Sequence, residues 1–327
     1  MEIRQLKYFV AIVDGGSLSR AAQTLFIAQS ALSKQISDLE KDLGTELLNR
    51  TRTGISATES GKIFYDHARA ILKQIAEARS AVKSSDQHIV GNVAMALPQS
   101  VANALALPLN SAARQRLPGV TLQLNEELSG NIAEQLMQGT VDFAILSANL
   151  PLKAFQCQAL ADEELFLICG PEQEAFLGDG DIAFEELERV PLLLSSRQHD
   201  QCLRVILENE AAQRKLVIGN IAAEINSVHI LKRGVLAGMG CTILPKAPVS
   251  QELERGQMSA RRIGQSGLFR TLMLCASTTT PMTNPKRAVA TLLIELVHEL
   301  CESGQWPGAV ARYDDAGALS DAGRRPA

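Results

Sequence analysis

Along the first quarter of the chain the apolar positions fall on helical spacing. Leu6, Phe9, Val10 and Val13 recur at i, i+3, i+4 and i+7 and predict one apolar stripe on a first helix. Asp14, Gly15 and Gly16 break it, and Ser17 or Ser19 can cap a second helix whose core face is Leu18, Ala21, Ala22 and Leu25. The small Ala21 and Ala22 leave room for a third helix to approach closely. That third helix is read from QSALSKQISDLEKDLG. Leu32, Ile36, Leu39 and Leu43 share one face, and Gly44 is placed to stop it. Its opposite face offers Ser30, Ser33, Lys34 and Ser37, with Gln29 at the start. Short hydrogen-bonding groups and one cation suit an approach to base edges and phosphates, although an ordinary solvated face has the same pattern.

The next segment, LLNRTRTGISAT, reads as a hairpin wing with Arg50 and Arg52 around its tip. Those arginines suit phosphate or minor-groove contact, or simple solvation. Thr58 can cap a long helix with Glu59 in its first turn. On it Phe64, Ala68, Ile71, Ile75, Ala78 and Val82 recur in steps of four and three, a heptad seam. That seam predicts pairing with a second copy of the chain. Packing against its own domain is the alternative.

From residue 89 onward short strands alternate with helices. Val93, Met95 and Leu97 alternate as a strand. A helix to Arg116, the strand VTLQLNE, the helix SGNIAEQLMQG and the buried strand VDFAILS follow. This β-α-β-α-β order predicts a parallel sheet with right-handed crossovers. A second series runs through EELFLICG, PLLLS, a helix near 201–213, VIGNIAAEI, a helix near Val228–Leu236 and CTILP. The strand LFRTLMLCAS and a helix over Lys286–Cys301 close the body. The expected fold class is therefore α/β. An all-α winged helix-turn-helix (1–58) and a linker and dimerisation helix (59–88) precede an α/β domain (89–302). That domain is split into subdomains of about 89–162 plus 268–302 and of 163–267. The remainder, 303–327, is rich in Gly, Ala and charge and reads as a disordered tail, with local docking of Trp306 left open.

Composition adds little to this picture. The 327 residues are 46% hydrophobic but only 4% aromatic, so the cores must be aliphatic. The net charge of −4 does not by itself point to nucleic acid. Its distribution is uneven. Residues 1–88 hold 12 basic and 10 acidic side chains and the rest hold 20 and 26, a mild asymmetry that fits a DNA-contacting head on an acidic body. The six cysteines form no C-x-x-C pair and have no metal-ligand spacing with the five histidines. They read as buried thiols in a reducing cytoplasm, with no cofactor or metal. The N-terminus carries Arg4 and Lys7 and has no long apolar run, so neither a signal peptide nor a membrane span is expected.

The residues 1–88 resemble the N-terminal region of LysR-type transcriptional regulators. LKYFVAIVDGGSLSRAAQTLFIAQSALSKQISDLEKDLGTELLNRT and TGISATESGKIFYDHAR carry that likeness. IAQSALS, RTRTGISATESGKI and LPQSVANALALPL are closest to the nitrogen assimilation control subgroup. The resemblance implies a helix-turn-helix at about Leu18–Ser37, groove contacts from Gln29, Ser30, Ser33 and Lys34, and backbone contacts from Arg50 and Arg52. Many relatives have proline where this chain has Ser30, which bears on the bases read and not on the fold. GTVDFAIL, EELFLICG and VLAGMGCTILP resemble the family's effector-binding domain, which is built like periplasmic binding proteins. There the effector lies between subdomains, at strand ends and helix N-termini. Ser100, Ser129, Arg197, His199 and Ser227 fall at such positions and could hold a carboxylate. Ser100, Ser129 and Ser227 could equally be only helix caps.

These readings imply a regulator that binds double-stranded promoter DNA as a dimer or dimer of dimers. It would sense a small molecule, work with RNA polymerase, and activate or repress. The subgroup resemblance opens the option of a regulator controlled by its abundance, with no effector. An enzyme is the competing class. G-x-S-x-G, a Walker loop, G-x-G-x-x-G and H-E-x-x-H are all absent from the sequence, and Gly234, Gly238 and Gly240 do not make the dinucleotide fingerprint.

Overall fold

In a computed structural model, residues 1–51, 54–83, 89–127, 129–148, 155–177, 180–197, 203–278 and 280–312 are described. The chain divides into two compact units, the first built on Met1–Ser85 and the second on most of the remainder.

The first unit has the expected elements. Helices α1 (Ile3–Gly15), α2 (Leu18–Leu25) and α3 (Gln29–Leu43) precede strands β1 (Leu48–Thr51) and β2 (Gly54–Ala57) and the long α4 (Glu59–Lys83). Their apolar stripes meet in one core of Phe9, Ile12, Ala21, Ala22, Leu32, Ile36, Leu39 and Leu47. Gly16 ends α1 and Gly44 ends α3, both in the left-handed region at φ 63° and 68°. Ser17 occupies the N-cap position of α2 without a side-chain capping bond, and the Ser19 hydroxyl instead donates to Gln29 Oε1 at 2.9 Å. Thr58 caps α4. Its Oγ1 accepts from Gly61 N at 2.9 Å and donates to Glu46 O at 2.8 Å. A Cβ at Gly61 would stand 2.0 Å from Leu47 O, so the wing crosses α4 where only glycine fits.

In the second unit a mixed sheet has the order β10-β6-β11-β5-β3-β4, where β3 is Gly91–Pro98, β4 Val120–Glu127, β5 Phe143–Ser147, β6 Phe155–Cys169, β10 Ser259–Arg262 and β11 Leu268–Ser277. As expected, β4, β3 and β5 run parallel, whereas β11 is antiparallel to both β5 and β6. The reason is topological. One strand, β6, carries the chain out of the first subdomain and another, β11, brings it back, so the two run opposite ways. Helices α5 (Gln99–Arg116) and α11 (Asn284–Glu302) cover one face of the first subdomain, in a core that includes Val93, Met95, Leu105, Phe143 and Leu293. Helix α6 (Ser129–Met137) covers the other, over Ala94, Ala96, Ala144 and Leu146.

The second subdomain is built on the far half of β6 with β9 (Thr242–Leu244), β10 and the parallel pair β7 (Leu192–Leu194) and β8 (Ile221–Glu224). Helices α7 (Pro171–Leu177), α8 (Leu203–Gln213), α9 (Val228–Leu236) and the short α10 (Ser250–Glu254) flank it.

Two expectations are corrected here. Residues 303–312 are not a disordered tail. Trp306 is 1% exposed, and β12 (Ala309–Ala311) adds an antiparallel strand to β6. Residues 313–327 lie outside the described residues. The cysteines are not six separate thiols. Cys157 and Cys275 stand opposite each other on β6 and β11, with Cα atoms 4.2 Å apart, and form a disulfide. Spacing along the chain could not reveal this, because the pairing depends on the register of strands 118 residues apart.

Candidate nucleic-acid interface and effector cleft

On α3 the buried Leu32, Ile36 and Leu39 turn the opposite face outward. Gln29, Ser30 and Lys34 are exposed, while Ser33 and Ser37 are half-buried. All five therefore share one helix, and Gln29 is oriented by Ser19 from α2. Phe26, in a left-handed turn between the two helices at φ 54°, is 94% exposed. Arg50 sits on β1 with its Nη2 3.6 Å from Glu40 Oε2, and Glu40 Oε1 accepts from Leu47 N at 2.9 Å and from Leu48 N at 3.2 Å. Glu40 thus ties the end of α3 to the start of the wing and holds Arg50 beside it. Arg52 lies outside the described residues. The wing is fixed to the helices by Ile55 N, which donates to Gly16 O at 2.9 Å.

The heptad seam of α4 is divided. Phe64 packs edge-on against Phe9, with ring centroids 5.2 Å apart, and Ala68 is fully buried within the chain. Those positions follow the alternative reading of packing within the chain. Further along, Ile71 is exposed, Ile75 half-buried and Ala78 exposed. The side chain of Val82 lies outside the description.

Between the subdomains of the second unit lies a cleft with about 100 Å³ of room for water-sized occupants. Ser100 and Ser227 line it, from the starts of α5 and α9. Ser129 begins α6, but its side chain lies outside the description; its neighbour Gly130 lines the cleft. Arg197 does not line it, being largely exposed with Nε 3.4 Å from Glu208 Oε2, and His199 lies outside the described residues. Ser227 is a helix cap, accepting from Ile230 N at 3.4 Å. Ser100 is not a cap. Its hydroxyl accepts from Arg270 Nη2 at 2.8 Å.

Arg270 heads a buried network. It is 4% exposed and pairs with the fully buried Glu163, its Nε 2.7 Å from Oε2. The second carboxylate oxygen accepts from Trp306 Nε1 at 2.8 Å. At the other wall Arg204 is engaged by Glu208, at 2.7 Å, and by Glu224. The amide of Val228 donates to Gln99 Oε1 at 3.0 Å, and Ser196 N donates to Asn226 Oδ1 at 2.8 Å. Among the described residues, the cleft's Arg204 and Arg270 and the amides of Val228 and Ser196 are therefore already matched by groups of the protein itself.

A three-helix head with a wing, joined by a long helix to a two-subdomain α/β body, is matched by two family models. "Bacterial regulatory helix-turn-helix protein, lysR family" covers residues 3–62, and "LysR substrate binding domain" covers residues 86–298. The chain belongs to the LysR family of bacterial transcriptional regulators. Among curated relatives it is 33% identical to the nitrogen assimilation regulatory protein nac of Escherichia coli (strain K12), over 94% of this chain and 99% of that one. It is 32% identical to the protein of the same name from Klebsiella aerogenes, over 91% and 95%. Solved LysR-family structures share the fold. A full-length OxyR variant from Pseudomonas aeruginosa superposes with a TM-score of 0.70 at 19% identity, covering 96% of this chain and 99% of that chain. Full-length CbnR in complex with its target DNA gives 0.67 at 22%, covering 91% and 99%. These relatives are named as regulators and not as enzymes, which removes the competing enzyme reading.

Within this LysR-family body, sequence reading missed Gln99, Arg204, Asn226 and Arg270 at the cleft. Gln99 was one step from the quoted Ser100. Arg270 could not be placed there, because it lies in mid-strand and reaches the cleft only when β11 returns between the subdomains. Among the described residues no group of His, Cys, Asp and Glu is arranged to hold a metal ion, and no helix is long and apolar enough to cross a membrane.

Proposed function

We propose that this LysR-type regulator reads promoter DNA with Gln29, Ser30, Ser33, Lys34 and Ser37 of α3. Arg50 and Arg52 of the wing contact the sugar-phosphate backbone. The observation that carries this reading is the polar outer face of α3, held on a fully buried apolar stripe directly after α2. Two copies pair through α4, using Ile71, Ile75, Ala78 and Val82 of the seam, whereas Phe64 and Ala68 support α4 from within the chain. Pairing sets two recognition helices on successive grooves, so the operator is an imperfect palindrome. A dimer of dimers on DNA, a contact with RNA polymerase, control of nitrogen or amino-acid metabolism and a cytoplasmic location follow from the resemblance to the nac proteins. Gel retardation of the DNA upstream of its own gene tests this. Retarded bands that survive excess unrelated duplex are expected, and their absence at low salt overturns it.

The second domain either senses a small effector in the cleft or is effector-independent, with the regulator controlled by its abundance. The internal pairing of Arg270 and Arg204 favours the second reading, since a carboxylate would have to displace Glu163 or Glu208. Thermal-shift titration with small carboxylates and amino acids separates the two. A ligand at a hundred times its Kd stabilises by about 2.7 kcal/mol, so a saturable rise in midpoint rejects effector independence.

A further inference from the structure

The disulfide on β6 has a counterpart twelve residues along the same strand. Cys169 ends β6, and Cys241 precedes β9 one step beyond the paired Ile168 and Thr242. Both thiols are fully buried, and their sulfurs lie 3.2 Å apart. Their backbones are fixed. Cys169 is paired with Ser259 of β10, while Cys241 N donates to Pro191 O at 2.8 Å and Cys241 O accepts from Leu193 N at 2.7 Å. A disulfide needs about 2.05 Å between sulfurs, so a small side-chain rotation closes the gap without moving either strand.

A buried cation completes the cluster. Arg261 on β10 is 5% exposed, with Nη1 donating to Gly180 O at 3.2 Å, and its charge reaches both sulfurs. Cys241 donates its S–H to Cys169, and that bond, with the Arg261 charge, lowers the Cys169 pKa against the opposing effects of burial and Glu174. The same contact raises the Cys241 pKa. The two thiols are thus inequivalent, Cys169 being the one whose thiolate is favoured.

We propose that Cys169 and Cys241 form an oxidisable dithiol that reacts with hydrogen peroxide. The Cys169 thiolate attacks one peroxide oxygen, an S–O bond forms, the O–O bond breaks, and the departing hydroxide takes a proton to become water. The Cys241 sulfur then attacks the sulfenic acid, the S–S bond forms, and the S–O bond breaks. The departing hydroxide takes the Cys241 proton as a second water. Two thiols are oxidised by two electrons and one peroxide is reduced; a dithiol reductant reverses the change by exchange. The pair lies one residue from Thr242, a cleft-lining residue whose hydroxyl donates to Leu193 O at 2.7 Å.

The test uses the full chain, reduced with dithiothreitol and then exposed to hydrogen peroxide. Remaining thiols are alkylated in denaturant and the peptides are mapped by mass spectrometry. The expected product is a Cys169–Cys241 linked peptide lighter by two hydrogens, restored by dithiothreitol. In Cys241→Ser, Cys169 is expected to stop at a sulfenic acid trapped by dimedone. In Arg261→Gln, wild-type linkage is expected to form more slowly. Recovery of Cys169 and Cys241 as alkylated thiols under peroxide that re-forms Cys157–Cys275 overturns the proposal. So does linkage at an unchanged rate in a folded Arg261→Gln variant.

Discussion

Glu163→Gln removes one charge from a pair that is almost entirely buried. Glu163 is fully buried, and its partner Arg270 is 4% exposed. Glutamine keeps the shape and can still accept from Trp306 Nε1, so the perturbation is electrostatic and leaves the Arg270 guanidinium without its counter-charge. Removing one partner of such a pair costs about 3–5 kcal/mol. For a domain of this size each kcal/mol moves the midpoint by about 2–4 °C, so a fall of roughly 6–20 °C is expected. The chain has one tryptophan, Trp306, and it touches the altered carboxylate, so its fluorescence reports the unfolding of this body directly. A paired change, Glu163→Leu with Arg270→Met, removes both charges and should recover most of the loss. A Glu163→Gln midpoint within a degree of wild type, with unmoved emission, would refute the claim that this network holds the C-terminal segment and the cleft floor together.

Other consequences follow from the head. Ser33→Ala or Gln29→Ala should shift operator preference by about 1–3 kcal/mol in competition binding if these groups read bases; equal binding to cognate and altered operators would refute that role. Arg50→Ala should weaken binding to all sequences and lower the slope of log affinity against log salt by about one unit. An unchanged slope would leave Arg50 as a partner of Glu40 only. Ile71→Asp, at an exposed seam position, should convert dimers to monomers in sedimentation. An intact dimer would place the pairing surface elsewhere.

The head was legible in the sequence because its signals are local. Stops such as Gly16 and Gly44, the Thr58 cap and the spacing of Leu32, Ile36 and Leu39 act within a few residues and need no knowledge of the rest. The seam of α4 was legible as a pattern but not in its use, because Phe64 answers to Phe9, far away in the chain. In the body the strands were found, and the parallel direction of the first series with them. The parallel order expected for β3, β4 and β5 held, whereas the antiparallel course of β11, to which no direction had been assigned, depends on crossing between subdomains. The same non-local pairing hid the Cys157–Cys275 bond, the Arg270–Glu163 pair and the docking of Trp306. Of the serines singled out, Ser227 caps α9 and Ser100 accepts from Arg270, and both line the cleft. Spacing alone could not distinguish the two roles.

The central claim is sequence-specific reading of duplex DNA by α3. DNase I footprinting of the region upstream of the gene, with wild type and a Gln29→Ala, Ser33→Ala double variant, tests it most directly. The account predicts wild-type protection over two half-sites about one helical turn apart, lost in the double variant at equal protein concentration while weak unspecific coverage persists. Absence of protection by wild type at low salt, or an identical footprint from the double variant, would contradict it.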